Sequence, residues 1–362
     1  MTIELDAPAA AARLGAAPGD RRRLLGMGGF ILALHLLGWG LLAAAVSGQP
    51  NGGGASEVFG VGIGLTAYTL GMRHAFDADH IAAIDNTTRR QLALGQRPLS
   101  VGFWFSLGHS TVVLVLVALL AAGVGALAGQ LADEASPLQQ TAGLVGTLVS
   151  GLFLVVLGVI NLVVLIGLVR LLTRARQGEL DEEALEAQLQ RRGVVGRLAG
   201  RVAALVSRPW HLYPVGFLFG LGFDTATEIG LLVIAGGAAA AALPWYSVLT
   251  LPVLFAAGMC LLDTADGVLM CRAYGWAGDR PLRKMYYNLT VTGLSVVVAL
   301  VIGGIELAGV LADKLGVTSG PLAALASIDL GDLGYLLVGT FLVAWLVAMG
   351  VWRFRRRASP LR

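Results

Sequence analysis

Residues 140–169 read QTAGLVGTLVSGLFLVVLGVINLVVLIGLV, thirty positions without a charged side chain. An α-helix of that length extends about 45 Å, which exceeds the roughly 30 Å of hydrocarbon in a bilayer. Strands of a membrane barrel would instead show alternating segments of about 10 residues, and no such alternation occurs here. The stretch therefore predicts a transmembrane helix.

The rest of the chain repeats this pattern. Of its 362 residues, 56% are hydrophobic and 14% are charged, the mean hydropathy is +0.75, and 50 residues are glycine. A soluble domain carries about 25% charged residues, so the composition excludes a soluble or disordered chain. We predict an all-α, polytopic membrane helix bundle with about eight spans, at 24–46, 58–85, 101–128, 140–169, 211–239, 246–271, 288–312 and 332–352.

Basic residues predict the orientation of the bundle. The segments before, between and after the spans hold 4, 0, 3, 0, 8, 0, 4, 1 and 5 Lys or Arg. By the positive-inside rule both termini are cytoplasmic, which places the chain in a bacterial inner membrane. The predicted units are a tail at 1–23, helices one to four at 24–169, an amphipathic cytoplasmic loop at 170–210, helices five to eight at 211–352, and a tail at 353–362. The arginines of the last tail are expected to anchor topology rather than to bind nucleic acid.

Ionisable side chains lie inside four of the predicted spans, where charge is costly and usually marks a site or a pathway. All four spans place them at comparable depth. Imidazoles together with carboxylates favour Ni²⁺, Co²⁺, Zn²⁺ or Cu²⁺ over Mg²⁺ and Ca²⁺, and the residues do not choose among the four. The candidate metal ligands are His74, Asp77, Asp79, His80, His109, Asp224, Glu228, Asp263 and Asp266.

Span two poses a geometric problem. On a straight helix His80 lies about 120° from His74, and Asp79 lies nearly opposite His74. Either Asp79 acts outside the ligand shell or the helix is distorted. Arg73, the lone basic residue within a predicted span, can reach Asp77 one turn later.

Two other polar residues within the predicted spans are not expected to be metal ligands. His35 in span one is expected to be structural, with an influence on metal preference as the alternative. Glu306, near the outer end of span seven, is expected to be interfacial rather than a ligand.

Four segments carry a family resemblance: RHAFDADHI (73–81), LGHSTVV (107–113), LGFDTATE (221–228) and GMCLLDTAD (258–266). They resemble the signatures of the nickel/cobalt transporter family (NiCoT), in the same order. The resemblance implies a single-component secondary carrier for Ni²⁺ or Co²⁺, with no resident cofactor, no enzymatic activity and no ATPase subunit. It also implies that His74, Asp79 and His80 form the core of metal recognition, with the other candidates supporting binding or passage.

Two other functions remain open at this stage. An intramembrane metal-dependent hydrolase would also cluster His and Asp, but the chain lacks an HExxH pair and has more carboxylates than a catalytic zinc uses. An efflux carrier on the same fold would work against the membrane potential. The preference between Ni²⁺ and Co²⁺, the coupling to protons and the oligomeric state stay undetermined by the sequence.

Overall fold

The computed structural model describes residues 18–47, 60–93, 95–122, 130, 136–176, 206–222, 226–240, 244–276, 281–328, 330, 333–337, 339–340 and 343. Within these residues the regular structure is entirely helical, as predicted. The helices are α1 (Pro18–Ser47), α2 (Val61–His74), α3 (Ala78–Ala93), α4 (Val101–Ala121), α5 (Pro137–Arg176), α6 (Leu212–Gly220), α7 (Ala226–Ala240), α8 (Trp245–Trp276), α9 (Pro281–Leu315) and α10 (Pro321–Ala326), with a 3₁₀ turn at Pro209–His211.

Five of the described helices are long and apolar enough to cross a membrane, namely α1, α4, α5, α8 and α9. They correspond to predicted spans one, three, four, six and seven. Most of predicted span eight, most of the loop at 170–210, the tail at 353–362 and residues 1–17 lie outside the described residues.

Predicted span two is not one helix. α2 ends at His74 and α3 begins at Ala78, and between them the amide of Asp77 donates to the carbonyl of His74 over 2.9 Å. This tight turn confirms the distorted-helix alternative. The backbone at the break packs closely against Gly334, where a Cβ atom would lie 1.4 Å from the carbonyl oxygen of Phe76. Predicted span five is likewise divided, into α6 and α7.

Several boundaries also differ from the predicted ones. α1 begins at Pro18 instead of 24, α5 runs to Arg176 instead of 169, and α8 runs to Trp276 instead of 271. Hydropathy marks only the part of a helix that lies in hydrocarbon, and these helices continue past it into polar sequence. The short helix α10 lies in a segment predicted to be a loop.

α8 packs against α1, α2, α3 and α4 and so lies at the centre of the described helices. Its contact with α2 is a contact of backbones. A Cβ at Gly71 would lie 2.1 Å from the carbonyl oxygen of Phe255, and a Cβ at Gly258 would lie 2.6 Å from that of Tyr68. Small residues permit such close approach between helices in lipid.

α4 and α6 make a matching contact. A Cβ at Gly108 would lie 2.0 Å from the carbonyl oxygen of Tyr213, and a Cβ at Gly216 would lie 2.0 Å from that of Phe105. α4 also touches α8 through Gly102. These glycines bring α2 against α8, and α4 against both α6 and α8, in direct backbone contact.

Candidate metal site

Three histidines meet in the interior where α2, α3 and α4 converge. One ring nitrogen from each of His74, His80 and His109 lies within 4.8 Å of those of the other two. The three side chains are buried, with exposed fractions of 1%, 1% and 2%. We call this group the histidine triad.

The break between α2 and α3 makes the triad possible. His74 is the last residue of α2 and His80 lies in the first turn of α3, and their ring centroids are 4.6 Å apart. A continuous helix would direct these two rings about 120° apart. His109 comes from the middle of α4, and its Nε2 lies 2.9 Å from Nε2 of His74.

Two carboxylates lie on the outer side of the triad. Oδ2 of Asp263 is hydrogen-bonded to Nδ1 of His80 over 3.3 Å, whereas Oδ2 of Asp77 lies 2.8 Å from Nδ1 of His74 without hydrogen-bond geometry. Nε2 of His80 is buried and has no hydrogen-bond partner among the described residues. A carboxylate on one ring nitrogen fixes the proton there and leaves the lone pair of the other nitrogen for a metal.

Glu228 is placed differently, because it approaches the nitrogen that faces the triad. Glu228 lies in the first turn of α7, and its Oε1 is 2.8 Å from Nε2 of His109. Its other oxygen, Oε2, is buried without a hydrogen-bond partner among the described residues. Glu228 can therefore supply an oxygen ligand beside three nitrogen ligands.

Of the remaining candidate ligands the structure describes Asp79 and Asp266, neither of which belongs to the triad. Asp79 lines a cavity beside the triad. Asp266 lies one turn beyond Asp263 on α8, with Oδ2 buried and unpartnered among the described residues. Asp224 lies outside the described residues. His35 contacts Ile31 and the hydroxyl of Tyr68 on α2 rather than the triad.

Sequence reasoning missed two neighbours of the site. Oγ1 of Thr227 lies 2.9 Å from Nδ1 of His74, although 153 positions separate the two residues. The ring of Tyr335 packs 4.9 Å from the guanidinium carbon of Arg73. No spacing along the chain indicates either contact. Arg73 does bind Asp77, as predicted, with Nη1 2.9 Å from Oδ1.

Comparison with known proteins identifies the family. Residues 60–351 match the family model NicO, described as high-affinity nickel-transport protein. The chain belongs to the NicO family. The match includes every residue of the triad and its carboxylates. No solved structure matches the chain.

Curated relatives of this NicO chain are similar over nearly their full length. The nickel transporter NicT of Mycobacterium tuberculosis is 55% identical over 90% of this chain and 87% of its own length. The nickel transporter NixA of Staphylococcus aureus is 48% identical over 90% of this chain and 93% of its own. The cobalt transport protein NhlF of Rhodococcus rhodochrous is 43% identical over 91% of this chain and 92% of its own length. The resemblance drawn from the four motifs is thus confirmed.

Proposed function

We propose that this protein is a secondary carrier for high-affinity uptake of Ni²⁺ or Co²⁺ across the cytoplasmic membrane. The observation that carries the proposal is the buried histidine triad inside a bundle of membrane-length helices. Membership in the NicO family and the names of the curated relatives support the same substrate class.

We assign metal binding to Nε2 of His74, His80 and His109, with Glu228 as an oxygen ligand. The 2.9 Å between Nε2 of His74 and Nε2 of His109 is a hydrogen-bond distance, and all three nitrogens lie close enough together to bind one ion. Imidazoles beside a carboxylate suit Ni²⁺ or Co²⁺.

The other acidic candidates have supporting roles in this proposal. Asp263 orients the imidazole of His80 and increases its basicity, and Asp77 adds negative charge beside His74. In this proposal Asp79 and Asp266 support passage of the ion, and Asp224 keeps the supporting role that the resemblance implies. We also place Asp79 outside the ligand shell, although the break between α2 and α3 already resolves the geometric problem.

The proposed topology has eight spans with both termini in the cytoplasm. The alternation of basic residues between the spans supports it. In this orientation the membrane potential drives uptake, because moving a divalent cation inward gains about 4.6 kcal/mol per 100 mV, or roughly three decades of accumulation. Export would need another source of energy.

The decisive experiment is uptake of radioactive Ni²⁺ into liposomes that contain only the purified protein. With an inside-negative potassium diffusion potential, we expect saturable accumulation that collapses when the potential is removed. Competition with unlabelled Co²⁺ then measures the preference between the two ions. An intramembrane hydrolase would accumulate no metal, and an efflux carrier would expel Ni²⁺ from loaded vesicles only when a proton gradient is imposed.

A further inference from the structure

A cavity of about 870 Å³ lies beside the histidine triad. Its walls come from the break between α2 and α3, from the first third of α5, from the end of α9, and from α10 with the residues that follow it. The triad itself is buried, so the cavity and the metal site are neighbours without being continuous.

The ends of two helices show where the cavity opens. Gln140 in the first turn of α5 and Asp313 near the end of α9 line it, and the side chain of Asp313 is 78% exposed. In the proposed topology both helix ends lie on the outer side of the membrane, so the cavity opens outward. The inference below rests on the proposed function in this respect.

The wall of the cavity is acidic. It carries the four carboxylates of Asp77, Asp79, Glu306 and Asp313 against the two cations of Arg73 and Lys314. Glu306, expected from its position to be interfacial, is held at the wall by Ser150, whose hydroxyl donates to Oε2 over 2.7 Å. A cleft of one charge sign concentrates ions of the opposite sign.

An ion pair and Thr227 lie between the cavity and the triad, and Oγ1 of Thr227 is 2.9 Å from Nδ1 of His74. The side chain of Arg73 is 30% exposed and lines the cavity, and its Nη1 binds Oδ1 of Asp77. The second oxygen of Asp77 lies 2.8 Å from Nδ1 of His74. Both side chains line the cavity, and the carboxylate of Asp77 joins the guanidinium on one side to the imidazole on the other. The guanidinium also rests on the ring of Tyr335.

We propose that the cavity is the outer vestibule through which the metal ion reaches the triad, and that Arg73 is its inner gate. A divalent cation in the vestibule repels the guanidinium and is attracted by Asp77, so it competes with Arg73 for that carboxylate. Release of Arg73 toward the cavity uncovers His74. When no ion is near, Arg73 occupies the place of the cation and keeps the triad closed.

Cysteine labelling tests the vestibule. Thr147 on α5 lines the cavity, whereas Val145, two residues nearer the outer end of α5, is 40% exposed on another face of the helix. We expect a membrane-impermeant, cationic methanethiosulfonate added to right-side-out vesicles to modify Thr147→Cys and to block its Ni²⁺ uptake. Val145→Cys, facing lipid, should stay unmodified. The native Cys260 and Cys271 are buried, so the unmodified protein measures the background.

The outcomes separate this inference from the proposed function. If Thr147→Cys were modified only from the cytoplasmic side, or no more than Val145→Cys, the vestibule would be wrong even with normal uptake. If the unmodified protein took up no metal, the carrier function would be wrong, while labelling would still report whether the cavity opens outward.

Stopped-flow measurement of Ni²⁺ association tests the gate. We expect Arg73→Gln to bind at least tenfold faster than the unmodified protein, and Arg73→Lys, which keeps the charge, to stay within threefold. Tyr335→Leu keeps the ion pair but removes the supporting ring, and it should give an intermediate rate. Unchanged association in both Arg73→Gln and Tyr335→Leu would overturn the gate.

Discussion

Replacing His80 with alanine should nearly abolish high-affinity metal binding. The imidazole of His80 has its Nδ1 on Asp263 and its Nε2 directed to no other described residue, so the proposed ion loses one of three nitrogen ligands. Altering only a partner of a metal-bound histidine typically costs 10- to 100-fold in affinity. Losing the ligand itself should therefore cost at least about 100-fold, or about 2.8 kcal/mol.

The structure also predicts a graded series. Asp263→Asn leaves all three imidazoles in place and removes only the carboxylate behind His80, so its affinity should fall by about 10- to 100-fold. His211→Ala is the matched control, since His211 packs on Trp210 in the 3₁₀ turn, outside the triad. Its affinity should equal that of the unmodified protein.

Equilibrium dialysis of purified protein against radioactive Ni²⁺ gives the affinities, and uptake into liposomes gives transport at nanomolar metal. Thermal unfolding in detergent must accompany both, because His80→Ala leaves the buried carboxylate of Asp263 without its imidazole and lowers stability. A folded His80→Ala protein that binds Ni²⁺ as tightly as the unmodified one would refute the ligand assignment.

Three further outcomes are expected. Gly102→Ala would place a Cβ 1.8 Å from the carbonyl oxygen of Asp263 and should destabilise the protein by about 3 kcal/mol or more, whereas Gly236→Ala, with no atom within 4 Å, should not lower the unfolding temperature. Glu306→Gln should raise the KM for uptake about tenfold at low ionic strength without changing kcat. The substitution weakens the attraction of the cation into the vestibule but leaves binding at the triad intact. An unchanged KM would contradict this. Metal binding should release protons, because metal and proton compete for the same imidazoles, so the calorimetric enthalpy should vary with the ionisation enthalpy of the buffer and the affinity should fall at acidic pH.

The sequence predicts the long apolar helices well, because hydropathy depends on composition over about 20 residues. α4, α5 and α8 follow from long, mostly apolar stretches. It also places His74, His80 and His109 at comparable depth in the membrane, whereas their meeting depends on the break between α2 and α3. The spacing of His74, Asp79 and His80 also indicated that either the helix is distorted or Asp79 lies outside the ligand shell.

The remaining features depend on contacts between distant segments. From its position along α9, Glu306 was expected to lie at the membrane–water interface. It lines the cavity because α5 packs against α9. Thr227 reaches His74 because α7 packs on α2. The turn at 75–77 forms where Gly334 leaves space for the carbonyl of Phe76, a condition set more than 250 positions away.

The glycine contacts restrict how this protein can move. Where the backbones of α2, α4, α6 and α8 touch directly, no side chain lies between them whose rotation could absorb a shift, so we expect these four helices to move together. His74 and His109 lie on these helices, whereas His80 lies beyond the break, on α3, which packs against α8. Tilting α3 about residues 75–77 would add or withdraw one nitrogen while the other two stay fixed. With three nitrogens the site would hold a metal ion tightly, and with two it would release the ion.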